Sequence, residues 1–526
     1  MLAALLFASC SSDSRPSSSN ASSSGGSIGT AAPGPSFTLP THPNVLFVLT
    51  DDMRLDDLQF MPNVRSLIGD QGMTFDAYFD NVTLCCPART SILRGQYSHN
   101  TGVLTNGGAN GGFETAHADN VEASTIATTM HDAGYTTGLF GKYLNGYPNT
   151  ATNAYVPPGW DDWSSSTKGD AYGEFNYTLN QNGAQVSYGN TPNDYGTDVY
   201  VRQTQAFIDK AAAASKPFFA YLAVYAPHQP ATPAPQDADA FPGLQAPRDA
   251  SYDEADVSDK PNFIQKKPLL NDERAKTIDD LYRKRAQSLQ AVDRGVAALL
   301  ADLKAKHLDN TYVVFTSDNG FHLGQHRLPA GKQTAYETDI HLPLLVRGPG
   351  IAAGSHAKAI TGNVDIAPTI AALGGTTMND QPDGRSLTPF ITQPFTADAG
   401  WRQAYLLEHW TESSVPEDRG GAGQLEPDDL DQTPSGGGAS TRKSAAAAAA
   451  IPEFQGLRTA TYAYVEYATG ERELYDLTKD PDELNNLASS ASSALLDALH
   501  QRLDALRHCK ADDCRSAESA PLNLPN

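Results

Sequence analysis

The stretch NVLFVLTDD, residues 44–52, decides the fold class of this chain. Its first seven residues form a continuous apolar run, which is typical of a parallel-sheet strand covered by helices on both faces. Asp51 and Asp52 follow at the carboxyl end of this strand, where open α/β sheets bind ligands. Two adjacent carboxylates repel each other, so a bound divalent cation, which prefers oxygen ligands, would keep both ionised. Because an Asp pair after a strand is also typical of a helix cap, this stretch alone leaves the cation site open.

Further apolar runs alternate with helical patterns along the chain. Candidate buried strands lie at 136–143, 217–225, 311–318 and 343–348. Helical periodicity occurs at 61–69, 122–133, 197–214, 272–306 and 366–373. This alternation predicts an α/β fold with a large, mostly parallel sheet flanked by helices.

Length and charge limit the domain number and the partners. A chain of 526 residues is too long for one compact core, which predicts one large and one smaller domain. The net charge of −23 repels nucleic acid and anionic membranes, so we expect neither as a partner, apart from a membrane reached through an N-terminal lipid anchor. The same charge repels sulfated polymers, so an anionic substrate needs a locally positive pocket.

The first 41 residues predict export rather than folded structure. Residues 1–9, MLAALLFAS, form an apolar run that is too short to span a bilayer and ends in small residues directly before Cys10. Residues 7–10, FASC, are similar to a bacterial lipobox, although Phe7 stands where Leu is usual and no Lys or Arg precedes the run. Residues 1–10 therefore predict a signal peptide with a lipobox. This predicts a bacterial cell-surface lipoprotein, with a secreted protein and its ordinary signal peptide as the alternative. Residues 11–41 are rich in Ser, Gly and Pro and predict a flexible tether.

The rest of the chain divides into three parts. Residues 42–410 hold the strand–helix alternation. Residues 411–450, with acidic residues, a Gly-Gly-Gly run and a run of alanines, predict an exposed, partly disordered insertion. Residues 451–526 predict a small α+β subdomain with antiparallel strands at 457–467 and 472–477 and a helix at 490–507.

Cys509 and Cys514 follow the predicted C-terminal helix. In an exported chain, two cysteines this close in sequence favour a local disulfide. A zinc site is disfavoured because no second Cys/His pair has zinc-ligand spacing.

A second pair of oxygen-bearing residues, Asp318 and Asn319, follows the candidate strand at 311–316. Two strand ends of this kind could close around one cation. The alternative is an Asx turn, since Asn319-Gly320 is a good turn signal.

The segment LCCPARTSILRG at 84–95 predicts a helix whose first turn contains Pro87. Cys85 then lies at the helix N-terminus, where free N–H groups and the helix dipole favour an anion. Arg89 lies four residues on, one turn away on the same face, so both side chains could converge on one oxyanion. A buried Cys pair on an ordinary helix is the alternative.

Together these motifs resemble the formylglycine-dependent sulfatase family. Cys-x-Pro-x-Arg at 85–89, some thirty residues after a strand that ends in Asp-Asp, is similar to the family signature. The likeness extends from about residue 44 to 514, and the double Cys with GKYLN and PPGW is most similar to N-acetylglucosamine-6-sulfatases and extracellular endosulfatases. Further family-like segments are GKYLNGY (141–147), YVPPGW (155–160), FNYTLNQNG (175–183), APHQP (226–230), TSDNGFHLGQH (316–326), LPLLVRGPG (342–350) and ELYDLTKDPDELNNL (473–487).

The resemblance implies a catalytic domain at 42–410 with an alkaline-phosphatase-like α/β sandwich and a small C-terminal sheet. It implies that a formylglycine-generating enzyme oxidises Cys85 to formylglycine, whose hydrate attacks sulfur and forms a covalent sulfoenzyme. It also implies one Ca²⁺, with Mg²⁺ as the alternative. The implied metal ligands are Asp51, Asp52, Asp318, Asn319 and an oxygen of modified Cys85.

The same resemblance implies the roles of four further side chains. Arg89 would steady the hydrate, and Lys142 and Lys332 would bind sulfate oxygens. His228 would help to protonate the leaving alcohol. The implied substrates are sulfated carbohydrates or aryl sulfates, with a 6-O-sulfated glucosamine as the leading candidate.

Three positions depart from the family pattern. Ala88 replaces the usual Ser, and Arg94 stands where Thr is common, which bears on recognition by the oxidising enzyme. Leu144 occupies the position of a His found in many arylsulfatases, so no base is assigned for sulfate elimination. The alternatives to a sugar sulfatase are a broad arylsulfatase, a phosphate or phosphonate ester hydrolase on the same fold, and a lipoprotein that binds sulfated glycans without turnover.

Overall fold

The computed structural model describes residues 37–392, 401–412 and 451–525. The predicted leader at 1–10, the predicted tether up to residue 36 and the predicted insertion from residue 413 lie outside the described residues. Within the described ranges, no helix combines the length and apolar composition that crossing a bilayer requires.

The large sheet has ten strands and confirms the predicted mostly parallel α/β architecture. Its central strands, β9, β1, β8, β4 and β5, are parallel to one another, whereas β10 pairs antiparallel with β9 and β2, and β6 pairs antiparallel with β5 and β7. In spatial order the strands are β11 (Ser355–Ala357), β2 (Met73–Phe75), β10 (Leu344–Arg347), β9 (Thr311–Ser317), β1 (Asn44–Thr50), β8 (Phe218–Ala223), β4 (Thr136–Gly141), β5 (Asp162–Gly169), β6 (Tyr177–Gln181) and β7 (Ala184–Ser187).

Helices cover both faces of this sheet. The described α-helices are α1 (Pro62–Val64), α2 (Cys85–Arg94), α3 (Ser98–Thr101), α4 (Gly112–Ala118), α5 (Ile126–Asp132), α6 (Gly196–Ala213), α7 (Asn262–Gln265), α8 (Asp272–Ala305), α9 (Glu337–Ile340), α10 (Ile366–Leu373), α11 (Thr388–Thr392), α12 (Ser493–Leu506) and α13 (Asp512–Ser519).

Strand β1 is buried along its whole length because its two faces enter two different cores. Phe47 and Leu49 pack in one core with residues of α5 and α10. Leu46 and Val48 pack in the other with residues of α6 and α8. Each such side chain contributes about 1.5–3 kcal/mol of burial free energy, which explains a continuous rather than alternating apolar run.

A separate antiparallel sheet, which we call the small sheet, lies toward the C-terminus. It contains, in order, β13 (Ala404–His409), β14 (Phe454–Thr459), β15 (Tyr462–Tyr467) and β16 (Arg472–Asp476). Helix α12 packs its leucines on this sheet, and Cys509 and Cys514 form the predicted disulfide. A two-stranded pair, β3 (Tyr78–Phe79) and β12 (Thr361–Gly362), completes the described strands.

Two strand predictions differ from the structure. The sequence predicts one strand over 457–467, but the chain turns there, because the Thr459 hydroxyl accepts hydrogen bonds from the backbone N–H groups of Thr461 (3.2 Å) and Tyr462 (2.8 Å). Strand β5 was not predicted, because it buries a run of serines, Ser164–Ser166, in place of the usual apolar residues. The hairpin β6–β7 was also missed, although Asn182-Gly183 between the two strands is a hairpin turn signal. The domain limits at 42, 410 and 451 stay predictions.

Candidate active site

The two acidic strand ends meet at one edge of the large sheet. Strands β1 and β9 are parallel neighbours with Thr50 opposite Ser317, so the residues that follow them emerge side by side. The Asp52 backbone N–H donates to Asp318 Oδ1 over 3.1 Å, and Asn319 Nδ2 donates to Asp52 Oδ1 over 2.7 Å. The four predicted oxygen-bearing residues therefore form one buried cluster rather than two separate turns.

Helix α2 brings Cys85 and Arg89 to this cluster. The helix begins at Cys85 after the extended residue Leu84, as the sequence predicts. Cys85 Sγ lies 3.3 Å from Asp51 Oδ1 and 3.9 Å from Asp52 Oδ1. One turn later, Arg89 Nε donates to Asp318 Oδ2 over 2.8 Å.

Two lysines from different loops complete the cationic side of the site. Lys142, which follows β4, places its Nζ 2.6 Å from Asp51 Oδ2. Lys332 Nζ lies 2.7 Å from Asp52 Oδ1 and 2.9 Å from Cys85 Sγ. An isolated lysine is usually expected on the surface, and only the family resemblance places these two in the site; both are nearly inaccessible to solvent.

His228 approaches Asp52 from the loop after β8. Its Nδ1 donates to the Gln229 carbonyl over 2.7 Å, which fixes the proton on that nitrogen because a carbonyl can only accept. Its Nε2 lies 3.4 Å from Asp52 Oδ2 and faces the cluster. All the predicted site residues thus converge on one place, and each is at most 3% exposed.

Three buried carboxylates face three buried cations in this cluster, and their pKa values follow from that pairing. Burial alone would raise the pKa of Asp51, but Lys142 and Arg89 outweigh it and hold that pKa below its usual value. Burial, with repulsion by Asp51, raises the pKa of Asp318. Burial opposes the charged forms of Lys142 and Arg89, yet their carboxylate partners keep both pKa values well above usual.

The donor set fits a hard divalent cation. Asp51, Asp52, Cys85 and His228 each offer a ligand atom, and these atoms lie within 4.8 Å of one another. In addition, Asp52 Oδ2 and Asn319 Oδ1 are buried and make no hydrogen bond within the described residues. Such oxygens are what Ca²⁺ or Mg²⁺ prefers, whereas an imidazole nitrogen is a poorer ligand for either ion.

The family resemblance implies Asp318 as a metal ligand, whereas the distances between candidate ligand atoms favour His228. Asp318 was predicted as a metal ligand, but its Oδ2 is engaged by Arg89 and its Oδ1 accepts from the Asp52 and Asn319 backbones. His228 lies nearer the other candidate ligand atoms. Ligand chemistry favours the oxygen of Asp318 over the nitrogen of His228, so we retain the predicted assignment as part of the proposal below.

Sequence reasoning missed Arg285, which supports the site from behind. This buried guanidinium donates to the Asp52 carbonyl over 2.6 Å and to Asp57 Oδ2 over 2.8 Å. Asp52 has a left-handed backbone with φ of 65°, which a non-glycine residue adopts only when its surroundings hold it. No sequence signal marks Arg285, because one Arg in the long charged helix α8 is expected to face solvent.

Leu144, which replaces the His of many arylsulfatases, is buried in the apolar core next to Lys142. It also lines a small cleft beside Lys142. The cleft is lined by Lys142, Tyr143, Leu144, Asn145, Gly146, Tyr147, Ser165, Ser166, Tyr172 and Tyr225.

Comparison with known proteins identifies relatives over most of the chain. The sulfatase family profile matches residues 43–376. The human N-acetylglucosamine-6-sulfatase is 34% identical over 488 residues, which cover 90% of this chain and 86% of that protein. A putative extracellular sulfatase Sulf-1 homologue of Caenorhabditis elegans is 37% identical over 377 residues, 69% of this chain and 52% of that protein.

Solved structures share the fold. BT4656, in complex with D-glucosamine-2-N,6-O-disulfate, superposes with a TM-score of 0.70 at 22% identity and covers 91% of this chain and 99% of its own. The phosphonate monoester hydrolase SpPMH of Silicibacter pomeroyi superposes with a TM-score of 0.64 at 25% identity, with coverage of 90% and 96%. With the family profile and close relatives spanning the strand ends and helix that build the site, the chain belongs to the sulfatase family and is a sulfuric ester hydrolase.

Proposed function

We propose that this protein hydrolyses the sulfate monoester of a sulfated sugar, with N-acetylglucosamine 6-sulfate as the leading substrate. The position of Cys85 carries the proposal. Its side chain contacts both Asp51 and Lys332, so a nucleophile made at this residue has an anionic and a cationic partner within reach. The choice of sugar is supported by the name of the human relative, which matches 90% of this chain.

Residue 85 and the cation would each supply chemistry that unmodified side chains lack. Formylglycine at Cys85 would supply an aldehyde that adds water, giving one hydroxyl to attack sulfur and a second to expel sulfate afterwards. Ca²⁺, or Mg²⁺ in its place, would supply Lewis-acid stabilisation of the charge on the sulfuryl oxygens. We infer that Asp51, Asp52, Asp318 and Asn319 hold it, together with an oxygen of modified Cys85.

The three cationic side chains bind and orient the sulfate group. Arg89, Lys142 and Lys332 are held in place by carboxylates at 2.6–2.8 Å, so they need little reorganisation when the substrate enters. In a site excluded from water, fixed charges act more strongly on a developing oxyanion than they would in solvent. The three ion pairs are neutral overall, so a bound divalent cation would give the site a net positive charge. An anionic substrate needs this local positive charge because the chain as a whole is acidic.

His228 is the proposed proton donor to the leaving alcohol. The Gln229 carbonyl holds its Nδ1 proton, so Nε2 is the atom directed at the site, and the imidazolium form would carry there the second proton that is donated. A sugar alkoxide is a poor leaving group, and general-acid catalysis of this kind contributes about 10²–10⁴-fold to rate. The elimination base stays unassigned, since Leu144 lies where many arylsulfatases have His.

Maturation and location belong to the same proposal. A formylglycine-generating enzyme would act on the segment 84–95 during export, before α2 buries Cys85. An exported chain, lipidated at Cys10 or secreted, fits the extracellular location in the name of the Sulf-1 homologue. The tether at 11–41 would then separate the catalytic domain from the cell surface.

Mass spectrometry and a substrate pair test the proposal. The Cys85 peptide from protein made in its native host is expected to carry formylglycine, and the protein is expected to release sulfate from N-acetylglucosamine 6-sulfate. Intact Cys85 in protein that binds sulfated glycans without turnover would contradict it.

Phosphate or phosphonate ester hydrolysis is the second candidate, favoured by the structural similarity to SpPMH. Sulfate and phosphate monoesters of one phenol separate the two activities. A higher kcat/KM for the sulfate ester is expected, because the family profile and the human relative are those of sulfatases. A higher kcat/KM for the phosphate ester would favour the second candidate.

A further inference from the structure

Tyr172 lies between two of the proposed catalytic groups and contacts both. Its ring centroid is 4.7 Å from that of His228, with the two planes inclined by 52°. Lys142 Nζ lies over the same ring, 4.9 Å from its centroid. The Tyr172 side chain is only 5% exposed, and Tyr225 packs against it edge-on at 4.9 Å. One aromatic ring therefore limits the movement of the general acid and of a sulfate-binding lysine.

The two contacts complement the hydrogen bonds of these groups. The Gln229 carbonyl accepts a hydrogen bond from Nδ1 of His228. The Tyr172 ring packs against the same imidazole and adds a steric limit on its orientation. Lys142 has a flexible four-carbon stem, and an aromatic face under its ammonium group limits the positions that the charge can take.

The turn that carries Tyr172 is anchored to the rest of the protein. It connects β5 to β6 and contains Glu174, a buried residue with a left-handed φ of 65°. The Glu174 carboxylate accepts hydrogen bonds from the backbone N–H of Thr197 (2.6 Å) and from its hydroxyl (3.1 Å). Thr197 lies in the first turn of the 18-residue helix α6, so these hydrogen bonds hold the turn against that helix.

We propose that Tyr172 is a positioning residue, which holds His228 against the leaving oxygen and Lys142 against the sulfate. The inference rests on the proposed function and extends it to a residue outside the family-like segments quoted above. Tyr172 acts through its ring. Its hydroxyl accepts a hydrogen bond from Asn145 Nδ2 at 3.5 Å, whereas its aromatic face is the part that contacts His228 and Lys142.

Leaving-group dependence tests this role. An aryl sulfate such as 4-nitrophenyl sulfate releases a phenolate that needs no protonation, whereas the alcohol of a sugar sulfate needs a proton from the general acid. Tyr172→Leu is expected to lower kcat/KM by about 10²-fold for N-acetylglucosamine 6-sulfate, because a misplaced catalytic group costs about that much. The loss for 4-nitrophenyl sulfate is expected to be about tenfold, from Lys142 alone. Tyr172→Phe keeps the ring and is expected to keep both activities.

Two further variants guard against a purely structural effect. Tyr172→Met fills similar space without a ring and replaces the Leu variant if that one does not fold. Tyr464→Leu removes an equally buried ring in the small sheet and is expected to leave the ratio of the two activities unchanged. Equal losses for both esters, or no loss, in folded Tyr172→Leu or Tyr172→Met would overturn the inference. A wild-type protein inactive on both esters would instead overturn the proposed function itself.

Discussion

Two buried polar clusters of this protein differ in how completely their atoms are paired. In the first, which we call the junction cluster, the Glu473 carboxylate accepts hydrogen bonds from the hydroxyls of Tyr336 (2.7 Å), Tyr467 (2.6 Å) and Tyr475 (2.6 Å). It links the small sheet to the chain just after Lys332. In the active site, by contrast, Asp52 Oδ2 and Asn319 Oδ1 make no hydrogen bond within the described residues.

This difference indicates that the junction cluster stabilises the fold, whereas the active site is built to bind a ligand. A buried polar atom left without a hydrogen bond costs about 1–3 kcal/mol, so a purely structural cluster is expected to satisfy its atoms internally. Oxygens that stay unsatisfied beside charged neighbours are retained when a ligand supplies the missing contact. Substitutions in the active site should therefore change activity, and substitutions in the junction cluster should change stability, with little effect of either on the other property.

The largest effect is expected from Cys85. Cys85→Ala is expected to lower kcat/KM for the sulfate ester by at least about 10⁴-fold, because removing a nucleophile costs that much, while the melting temperature changes little. Initial rates of sulfate release at substrate concentrations well below KM measure it.

The matched control for this prediction is Cys86→Ala in the neighbouring position. Burial raises the pKa of Cys86 to about 12, so its thiol is a poor nucleophile, and most activity is expected to remain. Equal losses in the two variants would contradict a special role for residue 85.

Removal of the divalent cation is expected to have the next largest effect. Chelation should lower kcat/KM by about 10²-fold or more, since a Lewis acid contributes several kcal/mol. Adding Ca²⁺ at about 100 times its Kd should restore activity and stabilise the fold by about 2.7 kcal/mol, because the ion binds only the native state. Parallel titration with Mg²⁺ identifies the preferred ion.

Asp52→Asn is expected to lose both the recovery of activity and the stabilisation that Ca²⁺ gives, whereas Glu473→Gln in the junction cluster should keep both. If chelation changes neither activity nor melting temperature in the wild-type protein, the active site binds no cation and the contrast between the clusters fails.

In the junction cluster, the expected effect is on stability alone. Glu473→Ala leaves three buried tyrosine hydroxyls without their acceptor and is expected to lower the free energy of unfolding by about 4 kcal/mol. Burial already raises the pKa of Glu473, so Glu473→Gln, which keeps an acceptor oxygen, should cost less. Urea unfolding measures the loss, and kcat/KM is expected to stay within about twofold of wild type. A fall in kcat/KM in folded Glu473→Gln would show that the two clusters are coupled.

The sequence predicts the parts of this molecule that depend on local pattern. The apolar run at 44–50 identifies a central strand because both of its faces are buried. The convergence of Asp51-Asp52 with Asp318-Asn319 is also predictable, because parallel strands end at the same edge of a sheet. The helix at Cys85 follows from Pro87 in its first turn.

The parts that depend on tertiary packing could not be predicted. Arg285 supports the Asp52 backbone only because α8 crosses behind β1, and Tyr172 reaches His228 only because Glu174 holds its turn on α6. The buried serines of β5 carry no hydrophobic pattern, so that strand is not visible in the sequence. The hairpin β6–β7 differs, because Asn182-Gly183 between its strands is a turn signal from which it could have been predicted.

The smallest expected effect concerns the ion pair that joins the two regions. His99 follows helix α2. It donates from Nδ1 to Glu408 on β13 over 2.8 Å and from Nε2 to the Cys509 carbonyl over 2.9 Å, so its imidazole carries both protons. Burial opposes this charge, but Glu408 outweighs it and raises the pKa of His99 to about 9.

Because the folded-state pKa of His99 lies above the unfolded value, its stabilisation is fully present below about pH 6.5 and is lost as pH rises through about 9. Wild type should therefore lose at most about 3 kcal/mol more than His99→Gln between these limits, by urea unfolding at several pH values. The pair lies apart from the catalytic side chains, so the difference in kcat/KM between the two proteins should not change with pH. Unfolding curves that shift in parallel for both proteins would mean that this contact adds no pH-dependent stability, and the two regions would then be joined by packing alone.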